Sequence, residues 1–176
     1  EYVTNDNRAG GGKIKVNDYT LMPALGCDGG MNQIGVFCHE FGHAFGLPDL
    51  YDYDVEGAGC THASSQGVGH WDLMGSGNWN SSAHPALMSA WTKAQLGWLV
   101  PGVVTTDRHA WPLSSSSQGP AAFKLWLNGD PGKEYFLVEN RTKDGSDVDL
   151  HAAGVLIWHV DDTVNDVNNN ECHPQL

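Results

Sequence analysis

His39-Glu40-Phe41-Gly42-His43 is the stretch of this chain best equipped for chemistry. Two histidines four residues apart share one face of a helix, so both imidazoles can reach a single zinc ion, and Glu40 between them can reach a water held by that metal. The extension Ala44-Phe45-Gly46-Leu47-Pro48-Asp49 adds a glycine three residues and an aspartate six residues after the second histidine. Chance readily supplies an HExxH string in a surface or core helix, but rarely five fixed positions in register. The chemistry this pattern suits is metal-assisted hydrolysis.

The elements that must hold these side chains can be read from their ends. Asp28-Gly29-Gly30 is turn-like, Asn32 is the expected N-cap, and Ile34, Phe37, Phe41 and Phe45 recur at helical spacing. Gly46 falls where the chain must turn left-handed to leave the helix, and Pro48 prevents its resumption. That turn could bring Asp49 round to the metal as third ligand, leaving the fourth position to water. His70 is a rival for the same place.

Beyond Asp49, the carboxylates Asp52, Asp54 and Glu56 alternate ahead of Gly57, and form a candidate calcium loop or an acidic solvated one. Their spacing does not match an EF-hand. Within Gly69-His70-Trp71-Asp72-Leu73-Met74-Gly75-Ser76-Gly77-Asn78-Trp79, Met74 lies in a Gly-flanked turn about thirty residues after the helix and resembles a Met-turn, an apolar floor beneath metal ligands. Trp79 is a candidate wall of the substrate cleft.

Composition sets the frame. With 176 residues and seven Trp, five Tyr and five Phe, the chain can bury a core. Lys plus Arg total 9 against 21 Asp plus Glu, a formal charge of −12, which disfavours a nucleic-acid backbone as partner. No run of about 18 apolar residues marks a membrane span. Cys27, Cys38, Cys60 and Cys172 lack the CxxC spacing of a structural zinc site, and suggest one or two disulfides, with Cys60 paired to Cys27 or Cys38.

The rest of the chain is read as scaffold. Residues 1–12 read as a polar, Gly-rich loop or the tail of a missing element, Lys13 to Leu21 as a short strand or hairpin edge, and Ala83 to Gly97 as a second helix. Strand-like runs follow at Val103–Thr106, Ala122–Leu127, Tyr135–Arg141 and Gly154–Val160, separated by Ser-, Gly- and Asp-rich turns. Glu139 and His159 are ionisable residues set in apolar strands, expected to pair within the fold, and with each other if their strands are neighbours.

In HEFGHAFGLPDLYD (His39 to Asp52), WDLMGSG (Trp71 to Gly77), WTKAQLGW (Trp91 to Trp98), EYFLVENR (Glu134 to Arg141) and GVLIWHVD (Gly154 to Asp161), the chain resembles the immune-inhibitor-A-like secreted metallopeptidases, with the blocks in family order. The resemblance runs from about residue 30 to the C-terminus. It implies an extracellular zinc endopeptidase acting on protein or peptide substrates, with zinc on His39, His43 and Asp49 and Glu40 as general base. The expected fold is α+β: residues 1–101 a zincin-type catalytic region with an active-site helix and a Met-turn, residues 102–176 an antiparallel β-rich region packed on it. A monomer is expected, and both termini read as those of a fragment of a longer protein.

Zinc would activate water and polarise a carbonyl, with Glu40 taking and returning the proton. A serine or cysteine nucleophile fits less well, since Ser76 lacks a GxSxG elbow. The rival reading is a catalytically silent binding or adhesion module that retains zinc. Glu40 argues against it, because a structural site needs no base.

Overall fold

The computed structural model describes residues 2–8, 10–16, 19–51, 66–81, 83–107, 109–119 and 121–164. The chain forms two compact units, residues 1–32 and 33–176. Among the described residues, helix and antiparallel strand are mixed in an α+β arrangement. No helix among them is long and apolar enough to cross a membrane.

The first unit is built on a hairpin. Strand β1 (Tyr2–Asn7) pairs antiparallel with β2 (Lys13–Val16). The connection holds Gly10, Gly11 and Gly12 at φ 87°, 91° and 83°, backbone that only glycine adopts at little cost. The sequence expectation for residues 1–12 was a loop or the tail of a missing element. Their polar run lacks the apolar alternation that announces a strand, and β1 forms because the glycine turn folds it back onto β2.

In the second unit, helix α1 (Ile34–Ala44) carries the histidine motif. Its N-cap is Gln33, with no side-chain cap bond. Asn32, the expected cap, instead donates from its side chain to the Pro23 carbonyl within the first unit. At the other end, Gly46 has φ 87°, Gly46 N–H donates to His43 O (2.9 Å) and Leu47 N–H to Gly42 O (3.2 Å). This pair of bonds is a Schellman motif, and it reverses the chain directly after the second histidine.

Helix α2 (Ala90–Gln95) is shorter than the helix expected over 83–97. Upstream, Leu87 N–H and Ser89 N–H donate to the carboxylates of Asp147 and Asp72, both at or below 1 % exposure. These bonds hold residues 84–89 out of the helix, which begins only at Ala90, with Ser89 as its N-cap and the Ser89 hydroxyl accepting from Thr92 N–H.

Strands β3 (Gly102–Val103), β4 (Phe123–Trp126), β5 (Glu134–Arg141) and β6 (Gly154–Asp161) form one sheet in that order. The β3–β4 pair is parallel and the others antiparallel. Alternate residues of β5 are buried: Tyr135, Leu137, Glu139 and Arg141. Tyr135 and Leu137 join Ala90, Leu99 and Ala122 in one apolar cluster, and Leu47, Leu73, Met74 and Met88 form a second beneath the histidine helix.

The β5 face also carries charge inward. Arg141, fully buried, forks onto Asp147 (Nε to Oδ2 and Nη2 to Oδ1, both 2.7 Å) and donates to the carbonyls of Trp71 (2.7 Å) and Leu87 (3.2 Å). Glu139 accepts from Trp158 Nε1 (2.8 Å) and Ala90 N–H (3.1 Å). His159 does not pair with Glu139, although β5 and β6 are neighbours. Glu139 lies opposite Leu156 on the buried face, whereas His159 lies opposite Phe136 and bonds Glu134 at 2.8 Å in solvent. The strand period of two separates them.

Candidate metal centre

Three side chains converge where α1 ends. His39 Nε2 lies 2.9 Å and His43 Nε2 3.3 Å from Asp49 Oδ1, and the three atoms lie within 4.8 Å of one another. Helix α1 sets the histidines one turn apart, and the Schellman turn returns the chain so that Asp49 faces them. His39 is buried, and Asp49 and His43 are partly exposed.

The other ring nitrogens explain the aim. His39 Nδ1 lies 2.8 Å from Leu73 O, and His43 Nδ1 2.8 Å from Leu47 O. A carbonyl only accepts, so each ring carries a proton on Nδ1 and, when neutral, presents a lone pair from Nε2. Both lone pairs then meet a carboxylate oxygen, itself an acceptor. Three acceptors this close repel one another unless a proton or a cation lies between them. The donor set, two imidazoles and one carboxylate with the outer ring nitrogens already bonded, is one that could hold a metal ion.

Glu40 does not join the three ligand atoms but shares with His39 a cleft of about 260 Å³, lined also by Val36, Tyr51, Gln66, Gly75, Ser76, Asn78 and Trp79. Trp79, 64 % exposed, presents a broad apolar surface beside Glu40 and His39. Tyr51, which the sequence reading passed over, stacks on His39 with ring centroids 6.5 Å apart.

Met74 is fully buried, and a Cβ placed on Gly42 would overlap its sulfur. The thioether therefore packs against α1 between the two histidines in sequence. The turn carrying it is tied by Gly75 N–H and Gly77 N–H, both donating to Asp72 O (3.1 and 3.0 Å). His70, the rival ligand, lies outside the cluster. Its Nδ1 is 2.8 Å from Asn80 Oδ1 and its ring packs on His151. Asp52, Asp54 and Glu56 lie outside the described residues, and calcium has no support.

Cys27 and Cys38 are free thiols, so the disulfide expected from the even cysteine count is not seen among the described residues, and Cys60 and Cys172 lie outside them. Cys38 packs into the apolar cluster under α1, and burial pushes its thiol pKa up, which suits an inert side chain better than a nucleophile.

The HExxH helix, with Asp49 brought against both of its histidines, is the arrangement of a candidate metal site. The chain belongs to the immune inhibitor A peptidase M6 family, whose catalytic domain matches residues 2–99. It is similar to the Pre-pro-metalloprotease PrtV of Vibrio cholerae serotype O1, in strains M66-2 and ATCC 39315, with 34 % identity over 85 residues. That match covers 47 % of this chain and 8 % of that protein. It is similar also to Immune inhibitor A of Bacillus thuringiensis subsp. alesti, with 39 % identity over 69 residues, 39 % of this chain and 8 % of that protein. The matched segments thus span a small part of either relative. No solved structure gives a significant match.

Proposed function

We propose that the chain is a secreted zinc-dependent endopeptidase in which His39, His43 and Asp49 hold the metal and Glu40 is the general base. The observation that carries this reading is the convergence of His39 Nε2, His43 Nε2 and Asp49 Oδ1, with both Nδ1 atoms already bonded to backbone carbonyls, while Glu40 lines a cleft together with His39. A zinc ion bound there would supply Lewis acidity, lowering the pKa of water and polarising the scissile carbonyl. Glu40 accepts the proton from the attacking water and delivers it to the leaving amine. His39 and His43 keep their orientation through Leu73 O and Leu47 O. The Asp72–Gly77 turn, with Met74 against Gly42, is read as the Met-turn beneath the ligands.

Residues 1–101 are taken as the catalytic region and 102–176 as the β-rich support. The extracellular setting rests on the family resemblance, and protein or peptide substrates on membership of a peptidase family and on the Vibrio relative's name as a metalloprotease. The test is casein hydrolysis before and after dialysis against a chelator, with zinc content measured in parallel. Activity should vanish with the metal and return with one equivalent of zinc. Hydrolysis that survives complete zinc removal, or a zinc-loaded chain that cleaves nothing, overturns the proposal.

A further inference from the structure

We infer that Asp72 is a positioning residue for the metal site, acting on His39 through a single peptide plane; the inference rests on the zinc-site reading above. Leu73 O accepts the Nδ1 proton of His39 at 2.8 Å. The N–H at the other end of that same peptide unit, on Met74, donates to Asp72 Oδ1 at 2.7 Å. A trans peptide is planar, with C=O and N–H pointing to opposite sides, so fixing the N–H fixes the direction of the carbonyl. The carbonyl in turn fixes the rotation and tautomer of the imidazole.

Asp72 is itself held from the far side. Its Oδ2 accepts from Ser89 N–H at 2.7 Å and from the Thr92 hydroxyl at 2.5 Å, and the side chain is 0 % exposed. A carboxylate at this position does two things. It anchors the Leu73–Met74 peptide to the start of α2, and its negative charge polarises that peptide, strengthening the carbonyl as an acceptor from His39. Greater electron density on the ring raises the basicity of Nε2 towards a metal. The relay runs from Ser89 and Thr92 through Asp72 and the 73–74 peptide to His39. No other carboxylate touches that peptide among the described residues.

Asp72→Asn tests it in the 176-residue chain. An amide can accept from Met74 N–H only by turning its NH2 towards Ser89 N–H, so one bond of the relay is lost in either orientation. Zinc affinity, read by competition with a chelator, should weaken about 10- to 100-fold. In the metal-free protein, 15N NMR should show His39 leaving its Nδ1–H tautomer. Should Asp72→Asn fail to fold, Thr92→Val removes one of the two donors on Oδ2 and should weaken zinc several-fold in the same assay. Glu139→Gln disturbs a buried bond to Ala90 without touching the 73–74 peptide, and should lower the melting temperature at parent zinc affinity. Folded Asp72→Asn protein, or failing that Thr92→Val protein, with parent zinc affinity and an intact Nδ1–H tautomer overturns the inference while leaving the zinc site in place. A parent chain that takes up no zinc overturns the site itself, and the NMR arm then still decides the role of Asp72.

Discussion

Gly42→Ala probes the junction between the histidine helix and the methionine turn. In an isolated helix the change is favourable, by about 0.5–1 kcal/mol, because alanine loses less backbone entropy. Here the added methyl would overlap the Met74 sulfur, lie 3.0 Å from its Cε and 3.7 Å from Leu47 Cδ1. Met74 is fully buried among Leu47, Leu73 and Met88, so its thioether can give way only by disturbing that packing. Overpacking of this kind costs about 1–3 kcal/mol. The net expectation is a loss of about 1–2 kcal/mol after the propensity gain is set against it. Met74→Ala alone should cost about 2–5 kcal/mol through the cavity it leaves. In the double variant the methyl added by Gly42→Ala enters space vacated by the thioether, so the two costs should fall short of additivity by about 1–2 kcal/mol. Urea unfolding of the four proteins, metal-free, completes the cycle. A Gly42→Ala protein as stable as the parent, or a strictly additive cycle, refutes the packing described for Met74.

Arg141→Met should destabilise by about 3–5 kcal/mol in the same assay, because Asp147 and Glu139 would remain buried without their cation. Burial, with Asp162 second, pushes the Tyr135 phenol up to about 12 from 10.0. Its protonated form is favoured in the folded state, so the contribution is complete below pH 10 and is lost as the pH rises towards 12. Tyr135→Phe should flatten that alkaline limb, and tyrosinate absorbance should show one phenol of the parent titrating near the top of the window. Trp79→Ala should raise KM for peptide substrates several-fold with little change in kcat or zinc content, since it removes cleft surface and touches no ligand atom. An unchanged KM would remove Trp79 from the binding surface.

What the sequence made legible follows from how local each signal is. The turn at Gly46 and the juxtaposition of His39, His43 and Asp49 are written within eleven residues, and the helix together with the turn that ends it brings them together. The strands β4, β5 and β6 were equally readable, because each is an apolar run bounded by turn residues. The rest depended on distant partners. Helix α2 loses its first half to two carboxylates, one of them sixty residues away at Asp147. Glu139 takes Trp158 and Ala90 in place of His159, a choice set by which face of β5 it occupies. Asp72 carried one local signal, an aspartate two residues before a backbone N–H in a Gly-rich turn, the pattern of an Asx-turn. Its second pair of bonds, to Ser89 and Thr92, is visible only in three dimensions.

The most direct test of the central claim is the turnover of zinc-loaded Glu40→Gln against the parent on one peptide substrate, with zinc stoichiometry measured on the same samples. Glutamine keeps the shape of Glu40 but cannot accept a proton from water. The account predicts one zinc per chain in both proteins and a loss of hydrolysis of at least about 100-fold in the variant. Parent-rate hydrolysis by a folded, fully zinc-loaded Glu40→Gln protein would contradict it.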